Sequence, residues 1–144
     1  MELPEPIIQG EEARLIPVVN DKCKEDRATS ILLATFRAVP NFCKNMLDTV
    51  GQRVGVTSSV SCFTQVVLQD PPDGKLRPDG LIRIKKGKQI WTALVEAKIG
   101  NASLDKEQVA NYLDLAKANG INAVITISND FAALPTHHPL QFSS

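Results

Sequence analysis

Two stretches carry residue types that could do chemistry together: Arg77-Pro78-Asp79-Gly80, and then Val95-Glu96-Ala97-Lys98. Lys86-Gly87-Lys88 between them reads as a tight hairpin turn. With Gly87 and Lys88 at its centre, Lys86 faces Gln89, Lys85 faces Ile90, and the ladder continues until Asp79 faces Glu96. Directly opposed residues of an antiparallel pair share a face and lie about 5 Å apart. Glu96 and Lys98, two apart on one strand, also point to one side. Two opposed carboxylates repel unless a cation sits between them. Hard cations such as Mg²⁺ take oxygen ligands and keep several waters, so one or two carboxylates suffice. The chemistry such a site could run is attack of water on a phosphodiester. Lys98, half-buried beside it, is expected to have its proton affinity lowered, so that it helps activate the water or stabilises charge in the transition state.

The elements that must position these residues follow from the hydrophobic pattern. From about Asp21 the pattern is helical, with Ala28, Ile31, Leu32, Phe36 and Val39 on one face. Pro40 should break this helix, and Asn41 should cap a second piece over 42–49 that ends near Gly51. Strand compositions follow at 54–68, 81–85 and 89–99, the last apolar enough to be central. A helix is expected over 104–119 with Ser103 as its N-cap and Gly120 as its stop, then a buried strand at 122–128. A short strand is placed at 14–19. The first three long strands can form an antiparallel meander, and the helix after the third allows a crossover to a parallel fourth. The fold class is therefore α/β, a mixed central sheet flanked by helices. The domain occupies 21–130, preceded by an N-terminal arm over 1–20 and followed by an irregular tail over 131–144.

Pro78-Asp79 followed by Glu96-Ala97-Lys98 resembles the signature of the PD-(D/E)xK nuclease superfamily. The element order is similar to that family's αβββαβ restriction-endonuclease-like core, and the resemblance covers roughly residues 25–128. It implies a Mg²⁺- or Mn²⁺-dependent deoxyribonuclease. In it Asp79 and Glu96 bind the metal with the carbonyl of Ala97, and Lys98 assists the attacking water. An acidic residue of the first helix often joins such sites. Glu25 and Asp26 both fit that place, and Glu25 is favoured because it lies two turns before Leu32. In one branch of the family the second helix carries Gln-x-x-x-Tyr. Gln108 and Tyr112 match it, on one helix face. The resemblance implies that Gln108 touches the metal-site ligands or the DNA backbone. The chain stops soon after the last strand, as a minimal member or a piece of a longer protein would.

Each of these residues has a plainer alternative. Asp79 lies in a common turn sequence, Pro-Asp-Gly. Glu96 and Lys98 could be an ion pair on a solvated strand, although the run around them is largely apolar. Glu25 could be an ordinary first-turn acid. The alternative function is a catalytically silent module that keeps the fold and binds nucleic acid or a protein.

Lys75 and Arg77, near Asp79, are the better phosphate contacts, with Tyr112 beside them as a nucleic-acid contact. Lys85, Lys86 and Lys88 sit at the far end of the hairpin and read as a charged turn that discourages edge pairing. Sixteen basic and sixteen acidic residues cancel, so any nucleic-acid partner must be held by local charge. Cys23, Cys43 and Cys62 have no CxxC spacing and read as reduced thiols of a cytoplasmic protein. His137 and His138 read as tail residues rather than zinc ligands. No apolar run approaches the roughly 20 residues that span a bilayer, and the N-terminus lacks a signal-peptide pattern. Cutting both strands of a duplex would favour a homodimer.

Overall fold

A computed structural model describes residues 2–17, 23–100, 102–129 and 138–140. Five strands form one mixed sheet: β1 (Ile7–Glu12), β2 (Ser59–Leu68), β3 (Gly80–Lys86), β4 (Gln89–Ala97) and β5 (Ala123–Ile127). They lie side by side in chain order. β1 to β4 run antiparallel to their neighbours, and β5 joins β4 in parallel. The parallel step needs a crossover, which the helix α3 (Lys106–Ala118) supplies. Two further helices, α1 (Lys24–Ala38) and α2 (Pro40–Asp48), precede β2. The chain is thus a mixed α/β fold with helices on both sheet faces.

Strand alternation sorts the core into two layers. Leu81 and Leu94 pack with Tyr112, Leu115 and Ala116 of α3. Ile82, Ile84 and Val95 pack with Leu33, Phe36, Cys43 and Leu47 of α1 and α2. The layers hold because β2 carries one extra residue. Gln65 adopts a φ of 55°, and the β1–β2 register shifts beside it. This bulge resets the parity, so that Val66 and Leu68 stay on the α3 side with Phe63.

Pro40 ends one helix and starts the next. It occupies the first turn of α2, where a missing N–H costs nothing, and Val39 serves as cap to both helices. Asn41 is therefore inside α2 and is not its cap. α3 is capped by Asp105, whose side chain accepts from the Gln108 N–H at 3.0 Å, in place of the expected Ser103.

Three other expectations are corrected. The first strand is Ile7–Glu12, not 14–19: residues 14–17 are outside any strand, and 18–22 lie outside the described residues. β5 is a half-buried edge strand, covered on one side only by β4. The face of α1 that enters the core is Thr29, Ser30, Leu33, Ala34 and Phe36, whereas Ile31 and Val39 are exposed. Small side chains let this face approach the sheet closely. At Gly80 an added Cβ would collide with Leu33 Cδ1 and stand 3.1 Å from the Phe63 carbonyl oxygen. Ser30 fastens the same helix to the incoming chain: its Oγ accepts from the Arg14 N–H and donates to the Arg14 carbonyl.

Candidate functional site

The β3–β4 ladder runs Lys86 to Gln89, Lys85 to Ile90 and on to Gly80 opposite Val95. The ladder ends there; Asp79 lies just before β3, next to the strand end that carries Glu96, as its hydrogen bond to the Ala97 N–H shows. Both belong to the strand parity of Leu81 and Leu94, so both face α3.

The Asp79 carboxylate accepts a 2.7 Å hydrogen bond from the Ala97 N–H, which fixes it across the ladder. Glu96 is 1% exposed. One of its oxygens, Oε1, lies 2.8 Å from Lys98 Nζ. The other, Oε2, is buried and has no hydrogen-bond partner among the described residues. Glu25, from the first turn of α1, reaches the same place: its Oε1 accepts from the Ile99 N–H at 3.3 Å, and its Oε2 lies 3.9 Å from Lys98 Nζ. Lys98 therefore bridges the buried Glu96 and the half-exposed Glu25.

The charge balance follows from this geometry. Burial pushes the Asp79 carboxyl up to about 7; the Ala97 N–H opposes the shift, the Glu96 charge reinforces it, Lys98 opposes it and Asp26 adds to it. Burial acts to lower Lys98, but the hydrogen bond and charge of Glu96, then Glu25 and Asp79, outweigh it and raise its pKa. The expected lowering of its proton affinity is thus reversed: Lys98 is held as an ammonium by the carboxylates around it.

Asp26 also enters the site. The sequence favours Glu25 over Asp26 when the helix face is taken through Leu32, Ile31 and Val39. With the face centred on Leu33, both Glu25 and Asp26 point toward the β3–β4 end, and Asp26 is near enough to act on Asp79. The signal that locates them is Gly80, whose bare backbone lets the start of α1 lie against the sheet.

α3 closes the site from the other side. The Tyr112 hydroxyl donates to the Arg77 carbonyl at 3.0 Å, and Gln108 Nε2 donates to the Tyr112 oxygen at 3.4 Å. Tyr112 is 3% exposed, so the expected contact with nucleic acid is corrected: it holds the Arg77-Pro78-Asp79 segment in place from within. Burial, followed by the Glu96 charge, raises its hydroxyl pKa well above the ordinary value, which keeps it a donor. Gln108 supports the site through Tyr112. Arg77 and Lys75 lie on the exposed segment ahead of β3. Arg77 Nε donates to the Gly74 carbonyl at 3.2 Å, and Lys75 Nζ stands 3.7 Å from Asp73.

Among the described residues, no three His, Cys, Asp or Glu side chains form a group that could hold a metal ion. What the cluster offers a cation is two neighbouring carboxylates, one of them with a buried oxygen left unpartnered among the described residues. Cys43 and Cys62 are buried free thiols, pushed by burial up to about 11 and about 12, and Cys23 is a free, exposed one. No helix among the described residues is long and apolar enough to cross a membrane. Comparison with protein-family models, with curated proteins and with solved structures gives no match.

Proposed function

We propose that the chain is a metal-dependent nuclease of the PD-(D/E)xK type, with a restriction-endonuclease-like core and DNA as substrate. The observation that carries this reading is Glu96: a carboxylate 1% exposed, near the Asp79 carboxylate, with a buried oxygen that has no hydrogen-bond partner among the described residues. Burying such a charge is costly unless it is used. Asp79 and Glu96 would hold a Mg²⁺ or Mn²⁺ ion. These two carboxylates are the share of ligands that Mg²⁺ takes from a protein, water and substrate phosphate supplying the rest. When bound, the ion supplies the positive charge that polarises a phosphodiester.

The chain's own residues have separate tasks. Asp79 is oriented by the Ala97 amide. Lys98, kept protonated, stabilises negative charge gathering on the phosphate in the transition state. Glu25 positions Lys98 from the α1 side. Tyr112 and Gln108 fix the segment that bears Asp79. Arg77 and Lys75, exposed on the segment before it, would meet the polymer backbone.

The test is cleavage of labelled single- and double-stranded DNA with Mg²⁺, Mn²⁺ or EDTA, beside Asp79→Ala and Lys98→Ala proteins shown to be folded. Metal-dependent cleavage lost in both variants supports the reading. No cleavage by the parent, with no calorimetric metal binding that Asp79→Ala removes, sinks it. One observation favours a silent binding module: the Lys98 ammonium already contacts Glu96, so the most deeply buried carboxylate of the cluster is compensated without an ion. That module predicts DNA or protein binding unchanged by EDTA and by either substitution.

A further inference from the structure

The end of the β3–β4 hairpin farthest from Asp79 carries a second feature. Lys86 closes β3 about 20 Å along the strand from Asp79. There, a cavity of about 800 Å³ opens between α2, the segment 51–55 and the hairpin, lined by Lys44, Asp48, Arg53 and Lys86 among others. An adjoining cavity of about 390 Å³ shares Arg53 and Lys86 and adds Trp91, Ile90 and Gln89. The two form one groove with a pair of cations at its centre and an indole in one wall.

The charges in this groove do not cancel. Asp48, the one acid lining it, is taken up by Lys44 at 2.7 Å in an i, i+4 pair. Arg53 and Lys86 have no ion pair among the described residues, although both are exposed and line the same two cavities. Lys86 Nζ lies 3.6 Å from where a Cβ on Gly55 would stand, so the ammonium is seated against the bare backbone of the loop. In a chain with no net charge, two adjacent unpaired cations make a local positive field that an anion would relieve.

We propose that this groove binds single-stranded nucleic acid. A nucleotide carries the two features the groove matches: a phosphate for Arg53 and Lys86, and a flat ring for the Trp91 indole, which shares the sheet face of Lys86. The groove continues through both cavities, which suits a strand rather than one nucleotide. Lys86 is then a ligand-binding residue and not only a guard against edge pairing. The site lies at the opposite end of β3 from Asp79, so it stands or falls separately from the nuclease reading.

Trp91 is the only tryptophan of the chain and reports directly on the groove. The full chain would be titrated in EDTA with a labelled oligothymidylate, reading anisotropy of the oligonucleotide and emission of Trp91. The expected result is saturable binding with quenching of Trp91. The variant Arg53→Glu/Lys86→Glu should weaken binding about tenfold or more and flatten the salt dependence by roughly 1 to 1.5 in log–log slope. Arg53→Gln/Lys86→Gln should fall between, and Lys117→Glu on exposed α3 surface should bind like the parent. Thermal melts confirm that each variant is folded.

Four outcomes overturn the proposal. One is no binding by the parent. A second is binding that neither quenches Trp91 nor responds to the charge reversals. A third is displacement by polyglutamate at equal charge, which marks a general polyanion surface. The last is thymidine monophosphate binding as tightly as the oligonucleotide, which marks a mononucleotide site. Because every arm runs in EDTA, a failure of metal-dependent cleavage leaves these results unaffected.

Discussion

Lys98 Nζ lies 2.8 Å from one oxygen of Glu96, while the other oxygen of that carboxylate is buried without a partner among the described residues. Lys98 is thus the main compensation for a charge held inside the sheet. Replacing Lys98 with Met removes it and leaves the Glu96 charge alone. Metal-free Lys98→Met should lose on the order of 3 kcal/mol in urea unfolding, as broken buried pairs do. The double variant Glu96→Gln/Lys98→Met should recover most of that loss. A double variant no more stable than Lys98→Met would mean that the Glu96 charge is not what Lys98 offsets.

Asp79 makes the stability of the metal-free protein depend on pH. Its carboxyl is raised by burial to about 7, above its ordinary value of 3.8. Between those values the unfolded chain gives up this proton and the folded chain keeps it. The contribution of Asp79 to stability is therefore greatest below about pH 4, falls as pH rises, and levels off above about 7. The ceiling on this loss is on the order of 4 kcal/mol. Asp79→Asn removes the ionisation, so at pH 8 it should melt several degrees higher than the parent and at pH 4 no higher. Added Mg²⁺ should narrow the gap at pH 8 by stabilising only the parent. Equal melting curves of parent and variant at pH 8 would show that Asp79 is not held in an unfavourable charged state.

Gly80 sets how near α1 approaches the site. A methyl group there meets the fully buried Leu33, which would have to shift, and the Phe63 carbonyl behind it. Gly80→Ala should destabilise the fold by about 1–3 kcal/mol, the usual cost of overpacking. By pushing the start of α1 outward it should also loosen Glu25 from Lys98 and Ile99. Cleavage should then fall further than the folded fraction does. The double variant Gly80→Ala/Leu33→Ala, which clears the space, should regain part of that activity. If it regains none, helix approach is not what Gly80 provides.

The hairpin was legible in the sequence because its information is local. A turn at Gly87 and a period of two fix every pairing from Lys86–Gln89 to Gly80–Val95, and so bring Asp79 next to the strand end that carries Glu96. The phase of α1 was not legible in the same way. Ile31 and Val39 outweigh Thr29, Ser30 and Ala34 in hydrophobicity, yet the small residues are buried because Gly80 allows close approach. That error in phase is what displaced Asp26 from the site. The protonation of Lys98 depends on a 2.8 Å contact with Glu96 that no spacing rule reveals. Burial alone points the opposite way. The groove at Arg53 and Lys86 joins segments more than thirty residues apart, so the lysines of the hairpin gave no hint of it.

Tyr112 offers the most direct separation of positioning from contact. Its hydroxyl donates to the Arg77 carbonyl, two residues before Asp79, and its ring packs in the core beneath α3. Tyr112→Phe keeps the ring and leaves that carbonyl without its donor. Stability should fall by about 1 kcal/mol, the net worth of one hydrogen bond. If Tyr112 acts only by holding the Asp79 segment, turnover should drop while the affinity for DNA measured in EDTA stays unchanged. A loss of DNA affinity with unaltered turnover would instead place the hydroxyl against the polymer, which its 3% exposure argues against.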